Sequence, residues 1–279
     1  MIRTSCRLKA LVRNMSKGNN TKALIIIRNY AMERFLERLS VSKYRNNFIL
    51  KGGVLVAAMV GIDNRSTLDV DVTIKNLALS EESARKIVRD ITDIRLDDEM
   101  AFEIKSVGLI MDDAEYPGIR VTLETTLETM RIPLKIDFSI GDIITPGEVS
   151  YSFKLLFEER TISILAYNLE TLLAEKLETM LTRGTTNTRM RDFYDIFVLE
   201  NTQWNNIDKA VLKLAFANTS KNRGSGVVVA EMDTILSEIG SSLDMIGLWV
   251  GYQHKFEYAA DITWDDVMQA ARRLCDEIR

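Results

Sequence analysis

The stretch Phe48–Ile74, FILKGGVLVAAMVGIDNRSTLDVDVTI, constrains this chain most. An apolar run meets a glycine pair, a second apolar run lies between glycines, and a polar loop leads into LDVDVTI. In that last segment Leu68, Val70, Val72 and Ile74 alternate with Asp69, Asp71 and Thr73, the period of a strand with one buried face. Both aspartates therefore project to the same side. The spacing predicts a strand over 48–50, a turn at Gly52–Gly53, a buried helix over 54–60 and a strand carrying two carboxylates. A turn without Cβ atoms lets backbone N–H groups approach phosphate, and a helix beginning just after it adds its positive end. Metal-dependent chemistry on a phosphate is the first expectation.

The flanking sequence extends this frame. Leu24, Ile27, Ala31, Phe35 and Leu39 mark one face of a helix over 21–39, with Glu33, Arg34, Glu37 and Arg38 expected to be solvated or locally paired. The basic segment Arg3–Lys17 has helical spacing and fits either a helix packed on its own domain or a contact to RNA or an acidic partner. Segments 102–111 and 119–127 read as a hairpin around the Pro-Gly turn of Asp112–Gly118. Pro133–Ile140 alternates again, placing Asp137 opposite Leu134, Ile136 and Phe138. After a loop over 141–147 and a short strand over 161–166, the pattern is helical to the end. The boundary is set there, with domains 1–165 and 166–279.

Two carboxylates on one strand face, with Asp137 on a neighbouring strand, supply hard oxygen ligands for Mg2+ or Mn2+ and can hold two ions for in-line transfer. A solvated edge face remains the plain alternative for Asp-x-Asp. Other chemistries have less support. There is no GxxxxGK[ST] loop and no complete GxGxxG. His254 is the single histidine, which rules out a multi-histidine metal site, and Cys6 and Cys275 lie near opposite ends without CxxC spacing. A net charge of −4 gives no global attraction for nucleic acid, so RNA binding requires a local basic patch. The cysteine usage and the lack of an apolar run of about 18 to 20 residues point to a cytoplasmic protein without membrane contact, and a monomer is expected.

The order Lys51-Gly52-Gly53, Arg65-Ser66-Thr67-x-Asp69-Val70-Asp71 and Ile136-Asp137-Phe138 resembles the DNA polymerase β-like nucleotidyltransferase superfamily. More specifically it is similar to the AbiEii toxin family of type IV toxin–antitoxin and phage abortive-infection systems, from about Thr21, through MERFLERLS, to Leu199. Two later motifs belong to the same resemblance: Lys176 within Leu173-Ala174-Glu175-Lys176-Leu177, and Arg189-Met190-Arg191-Asp192-Phe193-Tyr194-Asp195.

The resemblance implies an α/β fold, a mixed nucleotidyltransferase sheet with flanking helices, followed by a helical C-terminal domain closing the nucleotide cleft. It implies transfer of an NMP from an NTP, GTP being favoured, to an acceptor, with tRNA preferred. Asp69, Asp71, Asp137, Lys176 and Asp195 are then catalytic, the first three of them metal ligands. Lys51, Gly52, Gly53, Arg65, Ser66, Thr67, Lys176, Arg189, Arg191 and Asp192 bind nucleotide, and Arg183, Arg189 and Arg191 can supply the basic patch. A cognate antitoxin from the same operon is expected to act without a stable complex. Three alternatives stay open. Lys176 can be a snorkelling surface lysine, the Arg–Asp pairs can be helix salt bridges or let Asp192 orient Lys176 or Arg189, and the acceptor can be an aminoglycoside-like small molecule. A non-catalytic nucleotide- or partner-binding module is the remaining reading.

Overall fold

The structure is a computed structural model that describes residues 1–110 and 118–279; the expected turn over 112–117 lies outside the described residues. The chain divides into two compact units. The first comprises Met1–Ile62, Ser66–Gly141 and Val149–Ala166, and the second Asp63–Arg65, Asp142–Glu148 and Tyr167–Arg279.

The first unit is built on a mixed seven-stranded sheet. In chain order its elements are α1 (Ser5–Ser16), α2 (Asn20–Val41), β1 (Phe48–Lys51), α3 (Gly52–Val60), β2 (Asp69–Ile74), α4 (Glu81–Thr92), β3 (Met100–Ile110), β4 (Gly118–Leu127), β5 (Met130–Ser139), β6 (Val149–Lys154) and β7 (Thr161–Ala166). The strand order is β3-β4-β5-β2-β1-β7-β6. β2 runs antiparallel to β1 and parallel to β5, so the Asp-x-Asp strand lies inside the sheet with a neighbour on each side. Val70 and Val72 are buried, as the alternation requires. β6 escapes the sequence reading because it is an edge strand in which Phe153 alone is buried, leaving little apolar signal.

α2 departs from expectation. Its charged residues Glu33, Arg34, Glu37 and Arg38 are buried, not solvated. They persist because each has a partner far away in sequence. Arg38 forms a two-pronged pair with Asp98 at 2.7 Å on each arm and also donates to the Met100 carbonyl. Glu37 takes Arg160 at 2.5 Å, Arg34 reaches Glu37 and Glu158, and Glu33 accepts the Leu156 backbone N–H. α1 packs Leu8 and Val12 against Ile26 and Tyr30 of α2, together with Ile2, Leu127 and Ile132.

The second unit is helical, with α5 (Leu169–Arg183), α6 (Met190–Gln203), α7 (Lys209–Asn222), α8 (Met232–Ser241), α9 (Leu243–Lys255) and α10 (Trp264–Glu277). Asn168 caps α5 by accepting from Thr171 N, and its Nδ2 donates to the carbonyls of Thr145 and Gly147, which ties Asp142–Glu148 into this unit. α9 ends at Lys255, where the Phe256 N–H closes on the Tyr252 carbonyl. Among the described residues no helix is long and apolar enough to cross a membrane.

Candidate active site

In the first unit the strand register aligns four charged residues in one row. Lys51 of β1 faces Asp71 of β2, Asp71 faces Asp137 of β5, and Asp137 faces Arg120 of β4. Asp69, two residues from Asp71 and so on the same face, is paired in register with Lys135. The sheet thus brings Asp69, Asp71 and Asp137 to one surface, with Lys51 at the end of the row.

Asp71 shapes the turn beside it. Gly53 donates its backbone N–H to Asp71 Oδ2 at 3.2 Å, at the start of α3. Gly52 has φ +61°, and a Cβ placed there would lie 2.3 Å from Asp71 Oδ2, 2.7 Å from Cγ and 2.8 Å from Cβ. Only glycine fits, because the backbone is left-handed and the carboxylate fills the space of a side chain. Burial raises the Asp71 carboxyl to about 6, and Asp137 adds to this; Lys51 and the Gly53 amide oppose the shift. The row thus sets two carboxylates side by side, and the Asp71 carboxyl holds its proton more tightly than an ordinary one.

Asp137 is engaged by Arg120, which sequence reasoning overlooked. Arg120 Nε lies 2.7 Å from Oδ1 and Nη2 2.6 Å from Oδ2, a bidentate fork that holds the guanidinium firmly charged. As the side chains stand, no three His, Cys, Asp or Glu groups among the described residues converge to hold a metal ion. The donor chemistry nevertheless fits a hard divalent cation: all three groups are carboxylates on one face, and the crowded Asp71–Asp137 pair gains from added positive charge. Ser66 and Thr67 are buried, and Thr67 Oγ1 donates to the Asp69 carbonyl at 3.4 Å.

In the second unit Lys176 of α5 meets α6. Its Nζ lies 2.9 Å from Asp192 Oδ1 and 2.7 Å from Asp195 Oδ2. Arg65 completes the cluster, with Nε 2.5 Å and Nη2 3.1 Å from the two Asp195 oxygens. Arg189 pairs with Asp192 Oδ2 at 2.9 Å. The i,i+3 spacing puts Asp192 and Asp195 on one face of α6, so a single lysine bridges both. Burial works against the Lys176 ammonium, but Asp192 and Asp195 outweigh it and raise its pKa. For Asp192 burial likewise opposes the charge, and Lys176 and Arg189 prevail to lower it.

This geometry excludes the snorkelling reading, since the Lys176 side chain is only 9% exposed. Asp195 is fully buried with both oxygens committed to Arg65 and Lys176, and Arg65 is 1% exposed. Arg189, half exposed, is the part of the cluster open to solvent. Beside it, Arg191 lies over the Phe256 ring at 5.8 Å, and Phe256 packs with Tyr252 and Tyr258. Tyr194 packs on Tyr258 and donates its hydroxyl to the Asn64 carbonyl. This aromatic group was not anticipated, because its rings come from separate helices and loops.

A family model described as nucleotidyl transferase AbiEii toxin, type IV toxin–antitoxin system, matches residues 34–270. The chain is similar to the crystal structure of a candidate nucleotidyltransferase from H. pylori, at 13% identity and a TM-score of 0.51, covering 91% of this chain and 96% of that one. It is also similar to JHP933 from Helicobacter pylori, at 14% identity and a TM-score of 0.50, covering 90% and 92%. At these identities the two structures speak for the fold. No curated protein matches the chain significantly in sequence.

Proposed function

Because the chain belongs to the AbiEii nucleotidyl transferase toxin family of type IV toxin–antitoxin systems, we propose that it moves an NMP from an NTP to a hydroxyl of RNA, tRNA foremost, releasing pyrophosphate. The observation that carries this reading is the placing of Asp71 and Asp137 in register on adjacent parallel strands, with Asp69 on the same face and the Gly52–Gly53 turn against them. Asp69, Asp71 and Asp137 would hold Mg2+ or Mn2+, whose charge stabilises in-line phosphoryl transfer. Lys51, the Gly52–Gly53 turn, Ser66 and Thr67 are the candidate phosphate-binding residues. In the helical domain over 166–279, Lys176, held by Asp192 and Asp195, and the more accessible Arg189 and Arg191 are the candidate nucleotide-binding cations.

Asp195 is assigned a positioning role: it holds Arg65 and Lys176 in place, with Asp192 steadying Lys176 and Arg189. GTP is the preferred donor in this reading. The protein acts as a monomer in the cytoplasm in phage defence, restrained by an operon-encoded antitoxin without a stable complex. The test supplies the purified chain, Mg2+, total RNA and each α-labelled NTP in turn. Labelled RNA with equimolar pyrophosphate is expected. Labelling confined to added aminoglycosides would move the acceptor to small molecules, and nucleotide binding without pyrophosphate release would leave only a binding module.

A further inference from the structure

We propose that Arg120 is the resident counter-cation of the carboxylate row and competes with an incoming divalent ion for Asp137. The row Lys51, Asp71, Asp137, Arg120 sets two carboxylates side by side between two cations. Adjacent strands stand only about 5 Å apart, so two facing carboxylates in a half-buried row need compensation. Arg120 supplies it to Asp137 through both oxygens at once, at 2.7 and 2.6 Å.

The inference rests on the reading of Asp69, Asp71 and Asp137 as metal ligands. A divalent ion needs an Asp137 oxygen, and both oxygens already accept from a charged donor that no physiological pH can neutralise. Each oxygen keeps a further lone pair, so it is the guanidinium charge beside them that opposes metal entry, and loosening the fork relieves that opposition. The Arg120 side chain is 41% exposed against 18% for Asp137, so the arginine can turn to water while the carboxylate stays on the sheet. A positioning role, in which Arg120 aims Asp137 at the ion, makes the opposite forecast: its loss would weaken metal binding.

The experiment measures Mn2+ binding to the full chain without nucleotide, by calorimetry and by electron paramagnetic resonance of the free ion. Arg120→Gln removes the charge and the fork. Losing a charge-assisted fork should tighten Mn2+ binding by about tenfold or more. Arg120→Lys, which keeps the charge and loses the fork, should lie between the two. In an Asp137→Asn background the Arg120→Gln gain should disappear. Equal or weaker Mn2+ binding by folded Arg120→Gln, or a gain of full size in Asp137→Asn, overturns the inference. If Arg120→Gln does not fold, Arg120→Lys decides by the same sign. Failure of the wild-type chain to bind Mn2+ overturns the metal site itself, and this inference with it.

Discussion

Replacing Gly52 by alanine tests the coupling between the glycine turn and the carboxylate row. The new methyl group meets two separate costs. At φ +61° an L-residue is strained, by roughly 1 to 2 kcal/mol. The methyl would also sit 2.3 Å from Asp71 Oδ2 and 2.8 Å from Asp71 Cβ. The second contact matters more, because a Cβ is anchored to the strand backbone and rotating the carboxylate cannot clear it. β2 or the start of α3 must shift, an overpacking cost of roughly 1 to 3 kcal/mol. Together these come to about 2 to 5 kcal/mol, or a fall of roughly 5 to 15 °C in melting temperature for a domain of this size. Gly18→Ala is the control, since Gly18 has φ +82° with nothing within 4 Å and so incurs the backbone strain alone. Urea and thermal unfolding of both variants, repeated for Gly52→Ala in an Asp71→Gly background, separates the costs. The Gly52→Ala penalty should shrink once the whole Asp71 side chain, Cβ included, is gone. Equal penalties for Gly18→Ala and Gly52→Ala, or the same Gly52→Ala penalty in both backgrounds, would refute the steric argument.

Asp195→Ala leaves the buried Arg65 and Lys176 charges without their shared partner, and should destabilise the second unit by about 3 to 5 kcal/mol; wild-type melting of that variant would contradict the buried cluster. Burial raises the Glu33 carboxyl to about 8, against the Leu156 N–H and Arg34, which favour its charge. Between about pH 4.5 and 8 the folded state then keeps a proton that the unfolded state has released, so this contribution is complete below pH 4.5 and is lost as pH rises towards 8. The loss amounts to at most about 5 kcal/mol. Glu33→Gln should flatten that fall in urea titrations at pH 5 and pH 8.5, and parallel curves for the two proteins would rule it out. If Arg183, Arg189 and Arg191 contact RNA phosphates, affinity should drop steeply with added salt in filter binding; salt-independent binding would remove RNA contact from these residues.

The sequence made the faces of the strands legible and left their neighbours hidden. Alternation in LDVDVTI and PLKIDFSI put Asp69, Asp71 and Asp137 on polar faces, since the strand period is two wherever one side is buried. That β2 and β5 lie parallel and adjacent depends on the order of strands in the sheet, which no local pattern contains. Arg120 could have been found by carrying the alternation of 119–127 through a hairpin register with β5, which pairs it with Asp137. The buried charges of α2 had no such signal. Asp98, Glu158 and Arg160 lie more than 50 residues from the helix positions they neutralise, so an amphipathic reading placed those positions in solvent. The same distance in sequence concealed the pairing of Arg65 with Asp195. Lys176, Asp192 and Asp195 were singled out by motif, and the structure adds that their charges are spent on one another.

At the heart of the proposed function lies metal-dependent nucleotidyl transfer by the Asp69, Asp71 and Asp137 face. Its most direct measurement is incorporation of label from an α-labelled NTP into RNA with and without Mg2+, by the wild-type chain and by Asp69→Ala and Asp71→Ala proteins shown to be folded. Labelling is expected to require Mg2+ and to be abolished in both variants. Full labelling by either folded variant, or labelling that persists in excess chelator, would contradict it.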